Sequence, residues 1–184
     1  MIHLIKSNFE IKDWSGGTTT ELFIYPEGAE YADLNFHFRL STATVEVEES
    51  TFTSLPGVNR TLMVLYGQMD LIHEAQHKTS LLPFEQDEFK GDWITHSAGK
   101  CVDFNLMCRG KTSGELTGFA LKKNQYRILD CDGDIQFLYI VNGSIELNRK
   151  TYFTNGLVRI KKLDMIEMKA NEESEIVFID ITNP

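Results

Sequence analysis

Apolar and polar positions alternate with a period of two along many short stretches of this chain, while long stretches of helical period are scarce. Such alternation predicts β-strands that bury one face. Gly, Pro or Asn separates the stretches, as is usual in sandwiches and barrels. The predicted strands are Glu21–Tyr25, Asn35–Ser41, Thr44–Val47, Leu62–Tyr66, Met69–His73, Val102–Met107, Ile135–Val141, Ile145–Asn148, Leu157–Ile160 and Glu175–Ile181. One further segment, Lys161–Glu172, carries apolar residues at helical spacing and predicts a helix.

An internal repeat organises the chain and argues against that helix. The segment VLYGQMDL aligns with IVNGSIEL, which places Gly67 opposite Gly143. Both segments have the pattern of a strand, a glycine turn and a second strand, so we predict an all-β chain of two jelly-roll barrels. The predicted domains are residues 1–110 and 111–184, with the first strands of the chain able to cross over to the second. The Gly-, Ser- and Thr-rich segment Arg109–Leu121 is the predicted linker.

Composition then narrows the function classes. The 184 residues are 42% apolar, which is enough for a substantial core, and the net charge of −9 disfavours nucleic acid or anionic membrane as a partner. No apolar run reaches the roughly 18–20 residues of a membrane helix, and the first residues lack the pattern of a secretory signal. A cytoplasmic protein is expected. Three cysteines without a CxxC pair predict free, buried thiols.

The sequence H-E-A-Q-H, from His73 to His77, matches the zincin motif. In that motif a helix places two histidines on one face to bind zinc. Here the motif follows a predicted strand and suggests a hairpin turn, and in extended chain the two histidines are too far apart to share a metal unless the turn folds them together. We therefore predict a solvated turn, no metal site and no metal cofactor.

Strand alternation gives a better candidate. Arg39 and Ser41 share one face of their strand with His37, and Asp103 and Asn105 share one face of theirs. If these rows face solvent they are merely solvated, and an Arg–Asp pair can be a structural ion pair. If they face into a barrel they form a pocket, in which Arg39 suits a carboxylate and the other groups orient an amide, amine or hydroxyl.

Two turns add further candidates. In SGGTTTEL a strand follows the glycines and no GK[ST] appears, so we expect a tight turn that leaves Thr19 and Glu21 to line a cavity, and little phosphate binding. In LPGVNR a Pro-Gly turn places Arg60 at the mouth of the next strand. No G-x-S-x-G elbow or catalytic cysteine signature supports covalent catalysis.

The segments WSGGTTTEL, FHFRLSTATV, FTSLPGVNRTLMVLYG and VDFNLM, in this order, resemble the HutD/Ves family of bacterial bicupin-like proteins over nearly the whole chain. The chain departs from the family pattern at WSGG and at Thr53, where a serine is usual. The resemblance implies a duplicated cupin-type barrel and a regulatory or ligand-binding role in histidine utilisation or stress response. The positions that match family motifs are Thr19, Glu21, Arg39, Ser41, Arg60, Asp103 and Asn105. The histidine pattern of metal-binding cupins is missing.

Three functions remain open. The first is a sensor that binds a small polar, carboxylate-bearing metabolite in the first barrel. The second is a metal-independent isomerase, epimerase or hydrolase of a small acid or sugar, with Asp103 or His37 as base and Arg39 stabilising negative charge. The third is a structural or interaction protein with solvated polar rows. Jelly-roll barrels often pair through a sheet face, so a homodimer is compatible with each function.

Overall fold

The computed structural model describes residues 2–5, 9–160 and 165–184, and these residues form 19 strands and no helix. The strands are β1 (Ile2–Leu4), β2 (Glu10–Trp14), β3 (Gly17–Tyr25), β4 (Phe38–Val45), β5 (Glu49–Thr51), β6 (Val58–Gly67), β7 (Met69–His73), β8 (Lys78–Leu81), β9 (Gln86–Lys90), β10 (Thr95–Ala98), β11 (Cys101–Arg109), β12 (Ser113–Leu121), β13 (Tyr126–Asp130), β14 (Ile135–Asn142), β15 (Ser144–Leu147), β16 (Lys150–Phe153), β17 (Leu157–Ile160), β18 (Met165–Ala170) and β19 (Ser174–Thr182). In this described part of the chain, no helix has the length and apolar character needed to cross a membrane.

The chain divides into two compact units. The first unit is Phe9–Thr112, and the second comprises Met1–Asn8 and Ser113–Pro184. The first unit contains a six-stranded sheet in the order β2-β3-β4-β11-β6-β9 and a four-stranded sheet in the order β5-β10-β7-β8. The second unit contains a five-stranded sheet in the order β1-β17-β14-β19-β12 and a four-stranded sheet in the order β13-β18-β15-β16.

The two units share one topology. The run β4-β11-β6-β9 of the first unit has the same connectivity as β12-β19-β14-β17 of the second, and β5-β10-β7-β8 corresponds to β13-β18-β15-β16. The aligned glycines occupy equivalent turns, Gly67 between β6 and β7 and Gly143 between β14 and β15, both with left-handed backbone (φ 78° and 83°). The predicted all-β, duplicated jelly-roll architecture is confirmed.

Three local predictions are wrong. The predicted linker Arg109–Leu121 is a turn only at residues 110–112 and then becomes β12, in which Phe119 and Leu121 are buried on one face and Leu116 on the other. The predicted strands Asn35–Ser41 and Thr44–Val47 are one continuous strand, β4.

The predicted helix Lys161–Glu172 is also wrong where the structure describes it. Residues 161–164 lie outside the described residues, and Met165–Ala170 form β18. Within β18 the buried positions are Ile166, Met168 and Ala170, which recur every second residue as a strand requires.

Candidate functional site

The first unit contains a cavity of about 310 Å³, and one of its walls is the six-stranded sheet. Arg39 on β4 and Arg60 on β6 both pair with Met107 on the strand between them, β11. One step along β11 on the same face, Asn105 pairs with Ser41. Because directly paired residues of an antiparallel sheet project their side chains to the same face, the register gathers these groups on the cavity side.

The structure places all seven predicted ligand-binding residues on this cavity, but not the candidate base His37. The lining includes Thr19, Glu21, Arg39, Ser41, Arg60, Asp103 and Asn105. The sequence left open whether the polar rows face solvent, and the answer is that they do not, since Arg39 is 5% and Asp103 3% exposed. The opposite face of the same strands is apolar and buried, as at Phe38 and Phe104. That these residues bind a ligand stays a prediction.

Arg39 is held rigidly by its neighbours. Its Nε donates to Glu21 Oε2 at 2.7 Å and its Nη1 donates to Ser41 Oγ at 3.0 Å. The guanidinium also lies over the ring of Tyr31, with Cζ 4.5 Å from the ring centroid. A carboxylate, a hydroxyl and an aromatic face thus fix the orientation of this cation before any ligand arrives.

Arg60 is held differently, by aromatic rings. Its Cζ lies 4.6 Å from the ring centroid of Phe52 and 5.1 Å from that of Phe89. Its Nε is buried and has no hydrogen-bond partner among the residues the structure describes. Burial lowers the pKa of Arg60 to about 10, against the opposing influence of Tyr31 and Asp103. The group remains a cation at neutral pH with a free donor in the cavity wall.

Asp103 and Asn105 supply the complementary acceptors. Oδ1 of each side chain is buried without a hydrogen-bond partner in the described part of the chain. Burial raises the pKa of the Asp103 carboxyl to about 7, although the positive charge of Arg60 acts to lower it. Buried polar atoms that lack partners are uncommon in folded proteins, and each calls for an explanation such as an ion, a water molecule or a catalytic role.

Sequence reasoning missed the aromatic contacts and misplaced one histidine. Tyr31 lies in a loop with no periodic pattern, and Phe52 precedes the Pro-Gly turn without belonging to a strand, so neither carried an alternation signal. Phe52 nevertheless stands in the FTSLPGVNR segment, which could have directed attention to it. His37, one of the two candidate bases, precedes β4, is exposed, and contacts Tyr25 instead of lining the cavity.

The equivalent face of the second unit is apolar. Asp103 pairs with Val64 in the first unit, and Ile176 pairs with Ile140 at the equivalent position of the second. Ile176 is therefore the counterpart of Asp103, and Phe178, two residues further, is the counterpart of Asn105. Ile176 and Phe178 belong to the hydrophobic core of the second unit. The duplicated barrels therefore differ in their interior, with polar groups in the first and a packed core in the second.

The H-E-A-Q-H motif forms the predicted turn between β7 and β8, but the prediction that it is solvated is wrong for His73, which is buried. The turn folds its two histidines together: the backbone N–H of His73 donates to the carbonyl of His77 at 2.9 Å, and the ring centroids are 4.6 Å apart. The sequence analysis required the turn to bring the two histidines together before they could share a metal, and the turn does so.

Comparison with known proteins gives one family and several similar folds. The HutD family model matches residues 6–179. A search of curated proteins gave no match.

Two similar solved structures come from pseudomonads. A conserved protein of unknown function from Pseudomonas aeruginosa, PA5104, has a TM-score of 0.83 and 20% sequence identity, with coverage of 99% of this chain and 98% of the other. HutD from Pseudomonas fluorescens has a TM-score of 0.76 and 19% identity, with coverage of 98% and 97%. A third, the bacterial pirin YhhW from Escherichia coli in complex with nickel(II), has a TM-score of 0.72 and 12% identity, with coverage of 97% of each chain. The duplicated barrel is of the cupin type.

Proposed function

Because this chain belongs to the HutD family, we propose that it binds a small, polar, carboxylate-bearing metabolite in the first-unit cavity and thereby serves a regulatory role in histidine utilisation. The observation that carries the proposal is a group of three buried polar atoms on one cavity wall, Arg60 Nε, Asp103 Oδ1 and Asn105 Oδ1, which have no hydrogen-bond partner among the described residues. A ligand that pairs with them removes the cost of leaving them unmet.

The chemistry of the wall selects the ligand. Arg60 offers a cationic N–H that suits a carboxylate, and its partner cation Arg39 is already neutralised by Glu21. The oxygens of Asp103 and Asn105 accept hydrogen bonds, so the ligand also carries an N–H or O–H donor. The cavity volume of about 310 Å³ lies at the lower end of the range for ligand sites, about 300–1,000 Å³, which favours a small metabolite.

The regulatory mechanism is a shift in population. A ligand that binds the folded first unit stabilises it by RT ln(1 + [L]/Kd), and the occupied protein can differ from the free protein in its affinity for a further partner. Arg39 is already fixed by Glu21, Ser41 and Tyr31, so little side-chain ordering opposes binding.

The test is a thermal-shift and calorimetric screen of intermediates of histidine breakdown and other small carboxylates. A ligand at about 100 times its Kd stabilises the protein by about 2.7 kcal/mol. We expect this stabilisation to disappear when the carboxylate of the same compound is replaced by a neutral amide. Asn105→Leu should weaken binding by about tenfold, the typical value of one hydrogen bond. Asn59→Leu, at an exposed position of the same strand as Arg60, is the matched control.

The proposal fails if no carboxylate in the panel stabilises the wild-type protein. It also fails if a stabilising compound binds Asn105→Leu and Arg60→Met as tightly as the wild type. The comparison of acid with amide uses the unaltered protein, so it remains informative if a cavity variant does not fold.

A specific observation also favours a second function. A carboxyl group with a pKa of about 7 is suited to act as a general base at neutral pH, and Asp103 faces the cavity. In an isomerase or hydrolase, Asp103→Asn abolishes turnover of the bound compound while binding is retained. In a pure binding protein, no compound that stabilises the fold is converted by the wild type.

A further inference from the structure

Three potential metal ligands converge beside the β7–β8 turn, away from the cavity lining. His73 Nε2 lies 2.8 Å from Asp87 Oδ2, and His77 Nε2 lies 2.9 Å from the same oxygen and 3.0 Å from Oδ1. The three ligand atoms lie within 4.8 Å of one another. A tetrahedral zinc ion with bonds of about 2.0–2.1 Å holds its ligand atoms about 3.3 Å apart, so a small outward movement of Asp87 makes room for an ion.

The surroundings of His73 resemble those of a metal ligand. The other ring nitrogen, Nδ1, lies 2.8 Å from Thr95 Oγ1, and both residues are buried. Histidines that bind metals almost always use the second nitrogen in a hydrogen bond of this kind, which fixes the ring orientation. Phe89 and Trp93 pack against the His73 ring, at centroid distances of 4.5 Å and 5.6 Å.

The outer side of the cluster is open. The side chain of His77 is 40% exposed and that of Asp87 15% exposed, so an ion can enter and a water molecule can complete its coordination. Two imidazoles and a carboxylate suit first-row divalent ions such as zinc, nickel, cobalt or iron, and are poor ligands for magnesium or calcium.

We propose that His73, His77 and Asp87 bind a divalent transition-metal ion. The ion joins the β7–β8 hairpin of the four-stranded sheet to β9 of the six-stranded sheet, because Asp87 lies on β9 and pairs with Leu62. The ion binds Nε2 of each imidazole in place of the hydrogen bond to Asp87, so each neutral ring carries its proton on Nδ1.

The spacing of these residues in the sequence did not predict the metal site. An i, i+4 pair of histidines usually shares a metal on a helix. Here the tight turn does the same, with Ala75 in left-handed backbone (φ 58°) closing the hairpin. Asp87, ten residues after His77, is brought in by the return strand and has no fixed spacing from the motif.

Trp93 provides a direct readout. Its ring lies 5.6 Å from that of His73 and 5.9 Å from that of His77, and the chain has one other tryptophan, Trp14. In a Trp14→Phe background, Ni²⁺ or Co²⁺ bound at the site quenches Trp93 fluorescence. We expect saturable quenching with one ion per chain, competed by Zn²⁺ and reversed by a chelator.

Variants then assign the ligands. His77→Ala and Asp87→Asn should each weaken metal binding by at least about 10–100-fold. Removal of a residue that only hydrogen-bonds a metal-ligating histidine already has an effect of this size. The matched control is His96→Ala. His96 forms a similar exposed pair with Glu74, at 2.9 Å. The result that overturns the proposal is the absence of saturable binding to the wild type, or equal affinity in His77→Ala. His77 is partly exposed, so its replacement leaves the buried core intact, and circular dichroism checks the fold.

Discussion

Replacing Asp103 by asparagine should increase the stability of this protein at neutral and alkaline pH. Asp103 is 3% exposed, and burial raises the pKa of its carboxyl from the ordinary value of 3.8 to about 7. Because the pKa is higher in the folded protein than in the unfolded chain, folding takes up a proton between about pH 4 and pH 7. The stability contributed by the neutral carboxyl is complete below about pH 4 and is lost as the pH rises through 7.

The magnitude follows from the shift. A difference of about 3 pKa units corresponds to about 4 kcal/mol, at 1.36 kcal/mol per unit. Asparagine has a similar shape and never ionises. The free energy of unfolding of Asp103→Asn minus that of the wild type should therefore rise by up to about 4 kcal/mol between pH 4 and pH 8. The loss of the favourable charge of Asp103 near Arg60 is already contained in this pKa.

The assay is urea denaturation of both proteins at a series of pH values, followed by tryptophan fluorescence. The difference between the two curves isolates Asp103 from the other carboxyl and histidine groups that titrate in the same range. Asp70→Asn, at an exposed position of β7, is the matched control for the loss of a carboxyl group. A flat difference for Asp103→Asn, or a variant less stable than the wild type at pH 8, would refute the reasoning.

Two further predictions concern backbone and thiols. Gly143→Ala should destabilise the protein by more than about 1 kcal/mol in urea denaturation, because the backbone is left-handed and a Cβ would meet the carbonyl oxygen of Glu173 at 2.5 Å. Gly28 is also left-handed but has open space around it, so Gly28→Ala should lower the free energy of unfolding by less. Equal losses in the two variants would contradict the steric clash at Gly143. The buried thiols should not react with a thiol reagent at pH 8 until the protein is denatured, since burial raises the pKa of Cys101 and Cys108 to about 12, and a rapid reaction of the native protein would contradict their burial.

Strand alternation predicted the part of the site that lies on central strands. Arg39, Ser41, Asp103 and Asn105 stand two residues apart on β4 and β11, and a period of two places them on one face without knowledge of the neighbours. The alternation could not decide whether that face points to solvent or into the barrel, because a row of polar residues is compatible with both. Thr19, Glu21 and Arg60 came from two turn segments and from the family motifs.

The remaining features depend on contacts that have no local signature. The stacking of Tyr31 on Arg39 joins a loop to a strand, and the approach of His77 to Asp87 depends on how a turn and a return strand close. Composition was misleading at β12, where glycine and threonine suggested a linker, because pairing with β19 was not visible from the segment alone. In β18 a short apolar run fitted both helical and strand spacing.

The apolar interior of the second unit gives this protein an internal reference for protein engineering. Ile176 and Phe178 occupy the positions equivalent to Asp103 and Asn105 of the first unit, and the two units share the same strand order and equivalent glycine turns. The duplication thus holds, in a single polypeptide, one copy with buried polar groups on this face and one in which the same face is apolar. Transplanting polar residues into the second copy, or apolar residues into the first, would measure directly how much folding stability a barrel of this kind gives up by carrying polar groups in its interior.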